Sequence, residues 1–182
     1  LNATRYLDAD FVSVAYNPGK STRINSVIAA HWIREHTGKD VLFTLATRDM
    51  NKVAVQSLLL GATLLGLENV VALRGDEFTK REQALVKAVD DFKPTELLSS
   101  LLSMNEGLDF RGGKLQPPTD FCIGATIDLG HEIAREAKLA WRKTVAGARF
   151  FLLQAIFDPQ KLNDFLETYS ENHGERLSSP IF

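Results

Sequence analysis

The chain has a single cysteine among its 182 residues, Cys122. No internal disulfide can staple it, and no thiolate cluster can hold a metal. Cys122 lies in an apolar run and reads as a small core residue. Four histidines are present, His31, His36, His131 and His173. No pair has a spacing suited to metal ligands; His131 reads as a helix-start residue and the other three as surface residues. No metal site is expected, and no nucleophile–histidine–carboxylate set can be assembled. Excess basic charge is missing too. A net charge of −2 offers no field for nucleic acid or an anionic membrane. No apolar run approaches the ~20 residues of a membrane span. The segment Leu1-Asn2-Ala3-Thr4-Arg5-Tyr6 lacks the charged head and apolar stretch of a secretion signal. A cytoplasmic protein with no nucleic-acid or membrane partner is the default expectation. The first residue is not Met, and Ser178-Ser179-Pro180-Ile181-Phe182 reads as the start of a strand, so both ends suggest part of a longer polypeptide.

What is present is an ordinary globular composition, 45% hydrophobic and 24% charged, and enough chain for one domain over residues 1–182. Strand and helix patterns alternate. Strands are expected at Asp10–Tyr16, Val41–Thr47, Asn69–Leu73, Asp120–Thr126 and Phe150–Phe157, with a sixth beginning near the end. Ser21 reads as the N-cap of a helix to His36, with Ile24, Val27, Ile28 and Ile33 near helical spacing and Gly38 as its stop. Asp49 reads as the cap of a helix from Met50 to Leu65, with Val53, Leu58, Leu60 and Leu64 on a buried face and Gly66 after it. Thr79–Phe92 looks helical up to Pro94, followed by a helix over Leu97–Asn105. Gly107–Pro118 is a long loop, and such loops are often functional. His131–Val145 and a segment opening at Asp158-Pro159, with Leu162, Phe165 and Leu166 inward, complete the helices.

This alternation implies parallel strands joined by right-handed crossovers. It fits an α/β fold of the (β/α)₈ TIM barrel type, present as about strands 2 to 6 and the start of 7. A doubly wound open sheet is the alternative. Asn17-Pro18-Gly19-Lys20-Ser21 ends like a phosphate-binding loop, but the glycine required at position 14 is Val.

In parallel sheets, ligands meet the C-terminal strand ends. The segment Asn69-Val70-Val71-Ala72-Leu73-Arg74-Gly75-Asp76 ends there in a cation, a glycine and a carboxylate. Asp76 either acts on a bound ligand, caps a following helix or pairs with Arg74. Tyr16, Asn17, Thr44, Thr47, Arg48 and Asp49 stand at the first two strand ends. Gln154 lies within an apolar strand, where an unpaired amide is costly, so it is either a satisfied core amide or a reader of a heteroaromatic ligand. Glu136 and Lys143, two turns apart on one helix, read first as a solvated face. With neither nucleophile nor metal, a barrel that binds heteroaromatic rings leaves the hard chemistry to a cofactor.

Four collinear segments resemble one family: Thr47-Arg48-Asp49-Met50-Asn51 with Ala54–Ala62; Leu64–Asp76; Asn105-Glu106-Gly107 with Asp109, Gly112, Pro118-Thr119 and Ile123-Gly124-Ala125; and Lys143 with Ala146–Phe150, Gln154 and Phe157-Asp158. Together they resemble the methylenetetrahydrofolate reductases, flavin-dependent (β/α)₈ barrels of one-carbon and methionine metabolism. More narrowly, they resemble the reductase module that some bacteria fuse to a homocysteine methyltransferase. The resemblance implies an oxidoreductase that reduces 5,10-methylenetetrahydrofolate to 5-methyltetrahydrofolate. Its cofactor would be FAD, with FMN as the alternative, and its electron donor NAD(P)H or a protein. A homo-oligomer or a complex with another subunit is expected. Asp76 would be catalytic, steadying a cationic 5-iminium folate, and Gln154 would hydrogen-bond the pterin. Ala15, Thr44, Leu73, Arg74, Gly75, Asp76, Gly124, Thr126, Glu136, Arg142 and Lys143 would line the flavin, with Arg142 and Lys143 facing its phosphates. Thr44 stands where the family has a flavin-contacting histidine, Ala155 where a Thr-Gln-Pro-like element has proline, and Thr126 where many members have an aromatic. The strand that bears the family's general-acid glutamate is not in this chain, nor are the last barrel strands. A non-redox folate-binding barrel, acting as a methyltransferase partner or regulatory subunit, is the alternative reading.

Overall fold

In the computed structural model, which describes residues 8–182, parallel strands alternate with helices. The reading of Leu1–Tyr6 lies outside the described residues. The order is β1 (Phe11–Val14), α1 (Ser26–Thr37), β2 (Asp40–Ala46), α2 (Lys52–Leu64), β3 (Asn69–Leu73), α3 (Pro94–Asn105), β4 (Cys122–Ile127), α4 (Ile133–Val145), β5 (Phe150–Leu153) and α5 (Gln160–His173). Beyond α5, Ile181 pairs in parallel with Phe151. The strands lie side by side in chain order, β1-β2-β3-β4-β5. A doubly wound sheet would reverse that order at a switch point.

The two faces of the sheet are unequal. Phe43, Leu45, Val70, Ile123, Ala125 and Phe151 face the helices and join their buried residues in one large core. The opposite face carries only a small cluster of Leu42, Val71 and Phe150, edged by Phe11 and Leu152. All helices therefore cover one side, as in a barrel wall. The sheet is curled. Phe182, hydrogen-bonded beside β5 through Phe151 and Leu153, meets Phe11 of β1 with ring centroids 5.3 Å apart. This is a curled parallel sheet consistent with part of a TIM barrel.

Several expectations shift. β1, β2 and β5 end earlier than expected, because their last residues turn into the rim loops, whereas β3 keeps its expected bounds and β4 starts later and runs one residue further, to Ile127. Asn25 caps α1, accepting the Val27 and Ile28 N–H groups, and Asn51 caps α2, accepting the Ala54 N–H; the expected caps were Ser21 and Asp49. The buried stripe of α2 is Val55, Leu59 and Ala62, while Val53, Leu60 and Leu64 are exposed. On α1, Val27, Ala30 and Ile33 are inward and Ile28 outward, while Ile24 precedes the helix and is exposed. Both helices are apolar on several sides, so periodicity did not single out the inner one.

Thr79–Phe92 is not a helix. A reciprocal Thr79–Glu82 cap starts one turn, but the Val89 N–H is then taken by the Arg48 carbonyl at 2.7 Å, which draws the chain back to the end of β2. Cys122 is exposed rather than buried; strand alternation sets it on the concave side with Gly124 and Thr126, at the far end from the rim. His31 and His173 are half-buried rather than surface residues, and His173 stacks on Trp141 with centroids 4.5 Å apart.

Gly124 is required by a neighbour. A Cβ there would lie 2.3 Å from the Phe150 ring, its partner on β5. Gly124→Ala is expected to lower unfolding stability by about 1–3 kcal/mol through overpacking, measured by urea denaturation; an unchanged midpoint would contradict this close contact.

Candidate functional site

Parallel strands bring all their C-terminal ends to one rim. Below it, the concave face is built in rows. Thr44, Val71, Gly124 and Phe150 are paired across β2 to β5. One step nearer the rim, Ala46 pairs with Leu73 and Thr126 with Leu152. Thr44 and Gly124 thus belong to the lower row, Leu73 and Thr126 to the upper.

Above the upper row lies a cavity of about 670 Å³ between the end of β3, the start of α3 and one face of α4. It gathers Leu73, Arg74, Thr126, Glu136, Arg142 and Lys143, half of the residues singled out in the sequence. A second cavity, of about 440 Å³, holds Gly75 and Asp76 and shares Arg74 and Asp90 with the first. Ala15, Thr44, Gly124 and Gln154 line neither. Ala15 is exposed past β1. Thr44 is buried, and its Oγ1 accepts the Tyr16 N–H at 2.7 Å.

Glu136 and Lys143 do not form a solvated face. They are 3% and 6% exposed and form an ion pair of 3.3 Å. Lys143 Nζ also donates to the Thr126 carbonyl, and Glu136 Oε1 accepts the Asp128 N–H at 3.3 Å. Burial pushes the Lys143 ammonium below its ordinary pKa, while Glu136 opposes that shift. The pair clamps α4 to the end of β4. Lys143 is therefore committed within the protein, and the exposed side chains of Arg74, Lys93, Arg135 and Arg142 bring further cations to the cavity lining.

Asp76 is exposed beside its cavity. It neither starts a helix nor pairs with Arg74, which instead meets Glu77 at 3.0 Å. Gln154 sits just past β5 with an exposed side chain, and its N–H donates to the Ile127 carbonyl. It is not an amide inside a strand, so the cost of burial does not arise; it stands at the rim.

Sequence reasoning assigned no role to Thr47, Asp90, Asp128, His131, Arg135 and Leu139, all of which line the larger cavity. Thr47 was visible as a polar strand end. It is fully buried, and its hydroxyl has no hydrogen-bond partner. Among the described residues no cluster suits a metal, and no helix is long and apolar enough to cross a membrane.

The methylenetetrahydrofolate reductase family model matches residues 2–182. The chain belongs to the methylenetetrahydrofolate reductase family. It is 24% identical over 165 residues to methylenetetrahydrofolate reductase 2 of Schizosaccharomyces pombe, covering 89% of this chain and 26% of that protein. The chain thus spans about a quarter of the length of that curated relative. A solved structure described as an uncharacterized protein from Clostridium thermocellum that binds two copies of 5-methyl-5,6,7,8-tetrahydrofolic acid superposes with a TM-score of 0.61 at 15% identity, covering 100% of this chain and 55% of that one. At that identity the superposition supports the fold.

Across the rim, Lys20 of the β1–α1 loop reaches the β3–α3 loop, donating to the Glu77 carbonyl and pairing with Glu82 at 3.0 Å. The Thr79 N–H and then Lys20 lower the Glu82 carboxyl pKa from 4.5 to about 2. A depressed carboxylate stabilises above its unfolded pKa and loses that contribution as pH falls through the folded value. The strap is thus expected to hold above pH 4.5 and to loosen as the pH drops toward about 2. An NMR titration of the Glu82 carboxyl should show this low midpoint, rising in Lys20→Met; an ordinary midpoint would contradict it. Lys143→Met should cost about 3–5 kcal/mol, because Glu136 stays buried without a partner. Urea denaturation reads this, and Lys143→Met with Glu136→Leu should recover much of the loss. A loss under about 1 kcal/mol would place the pair among weak surface bridges.

Proposed function

We propose that this protein takes part in flavin-dependent reduction of 5,10-methylenetetrahydrofolate to 5-methyltetrahydrofolate, within a single barrel domain. The observation that carries this reading is the adjacent pair of cavities at the strand ends. One gathers Leu73, Arg74, Thr126, Glu136, Arg142 and Lys143; the other holds Asp76; Arg74 is common to both. The folate-binding description of the Clostridium thermocellum protein points the same way.

The residues suit a flat, anionic cofactor. Leu73, Ala72 and Leu139 give the larger cavity apolar walls. The exposed guanidiniums of Arg74, Arg135 and Arg142 suit phosphates, which arginine binds through paired donors. The partnerless Thr47 hydroxyl adds an unmet polar group at its edge. FAD is the expected occupant, with FMN as the alternative. When bound and reduced, a flavin supplies the hydride, and the protein supplies binding, orientation and electrostatics. NAD(P)H or a protein donor would reduce it.

The role of this chain's residues follows from charge. Asp76, exposed at the rim, would present an anion to a cationic 5-iminium pterin and so stabilise developing positive charge. The exposed Gln154 amide at the rim offers both a donor and an acceptor to the pterin edge. The Glu136–Lys143 pair is neutral as a unit and holds the cavity wall in place. Folate, an electron donor and a second subunit or copy of the chain are the proposed partners.

The test is a titration of the full-length protein with FAD and FMN, followed by reoxidation with methylenetetrahydrofolate. A shifted flavin spectrum and folate-dependent reoxidation are expected. Folate binding with no flavin spectrum would favour a non-redox folate barrel. Asp76→Asn should slow the folate half-reaction by about a hundredfold and leave flavin reduction by the donor nearly unchanged. Equal slowing of both halves would remove Asp76 from the chemistry.

A further inference from the structure

The catalytic carboxylate proposed above sits on a loop, residues 74–90, that has only one short turn of its own. Something outside the loop must hold it. Arg48, at the end of β2, is 5% exposed although it is an arginine on the rim. Each of its three guanidinium nitrogens donates a hydrogen bond. Nε and Nη2 donate to both oxygens of Asp49, at 2.6 and 2.9 Å. Nη1 donates to the backbone carbonyl of Asp76 at 2.8 Å. The planar face lies 4.3 Å from the ring centroid of Phe78.

The Arg48 backbone holds the same loop at both ends. Its N–H donates to the Arg74 carbonyl at 3.2 Å, and its carbonyl accepts the Val89 N–H at 2.7 Å. Gly75 turns directly against it with φ +86°; a Cβ there would lie 3.4 Å from the Arg48 Cβ and 3.2 Å from that of Ala46. The entry of the loop, the carboxylate-bearing residue just inside it and the exit thus all converge on one residue. Asp49 fixes the orientation of the guanidinium, and a paired fork is directional where an ammonium is a point charge.

We propose that Arg48, oriented by Asp49, is the positioning residue of this site: it seats the 74–90 loop and aims Asp76 by holding the carbonyl of that same residue. It acts through Asp76 and touches no substrate itself. The proposal rests on the reading of Asp76 given above. Positioning of this kind matters because small displacements of a charged group forfeit much of its effect. A lysine could keep a charge near Asp49 but could not hold Asp49, Asp76 and the Phe78 face together.

The test uses the full-length protein and four variants: Arg48→Lys, Arg48→Met, Asp76→Ala and the Arg48→Met, Asp76→Ala pair. Two quantities are read, with the unfolding midpoint as a control for a merely structural role. The first is the trypsin cleavage rate at Lys80, Arg81 and Lys87, which reports loop opening. The second is affinity for 5-methyltetrahydrofolate. Both Arg48 variants are expected to open the loop to cleavage, about tenfold faster for Arg48→Met, and to weaken folate binding by about tenfold. On the Asp76→Ala background, Arg48→Met should cost less than about twofold more, since coupled residues are not additive. Unchanged cleavage in both Arg48 variants, or folate losses that multiply in the double variant, overturns the proposal. If Arg48→Met does not fold, Arg48→Lys carries both readouts. Failure of the unmodified protein to bind folate would count against the proposed function, whereas the cleavage arm judges the seating of the loop without any ligand.

Discussion

Parallel strand direction is the constraint from which the rest of this structure follows. Five strands run the same way in chain order, so each C-terminal end reaches the same rim and each return crossover takes a helix on the same face. The concave face is left with a small apolar cluster and few large side chains. Chemistry-bearing residues separated by long stretches of sequence, Arg48, Asp76, Thr126 and Gln154, come to that rim because their strands end there. No single segment could assemble them.

The rim is held by polar links, two of them buried, at Glu136–Lys143 and at Arg48, and one exposed, at Lys20–Glu82. Glu136 and Lys143 lock α4 to the end of β4 at the back of the larger cavity. Arg48 and Asp49 hold the β3–α3 loop at the front. Lys20 ties the β1–α1 loop across to that same loop. The enclosed charges of Glu136, Lys143 and Arg48 would be costly unless paired and hydrogen-bonded, and each of them is. A rim so fixed offers oriented charge to a ligand with little reorganisation, the condition under which electrostatic stabilisation is most effective.

The strands were legible in the sequence because Val41–Ala46, broken only by Thr44, and Val70–Leu73 are apolar runs, and turn residues mark their ends. Gly-Asp after the third strand was legible for the same reason. Helix faces were less so. In α2, leucines and valines occur all round the helix, and only packing selected Val55, Leu59 and Ala62 as the inner stripe. The charged stretch after Asp76 carries helical propensity and a genuine cap at Thr79, but a carbonyl of Arg48, distant in sequence, overrides it at Val89. Burial of Glu136 and Lys143 was invisible for a related reason. Each is a common surface residue, and the strand-end carbonyl and Asp128 N–H that satisfy them belong to another part of the chain. Gln154 looked enclosed because the apolar run continues past it, whereas β5 stops at Leu153.

The central claim is that ligands occupy the two adjacent cavities at the strand ends. Hydrogen exchange of the full-length protein, with and without FAD and 5-methyltetrahydrofolate, tests it most directly. The account predicts slowed exchange at the amides of residues 73–76, 126–128 and 154, with the outer groove around Ser99, Ser103 and Phe110 unaffected. Protection confined to that outer groove, or absent at the strand ends at saturating ligand, would contradict it.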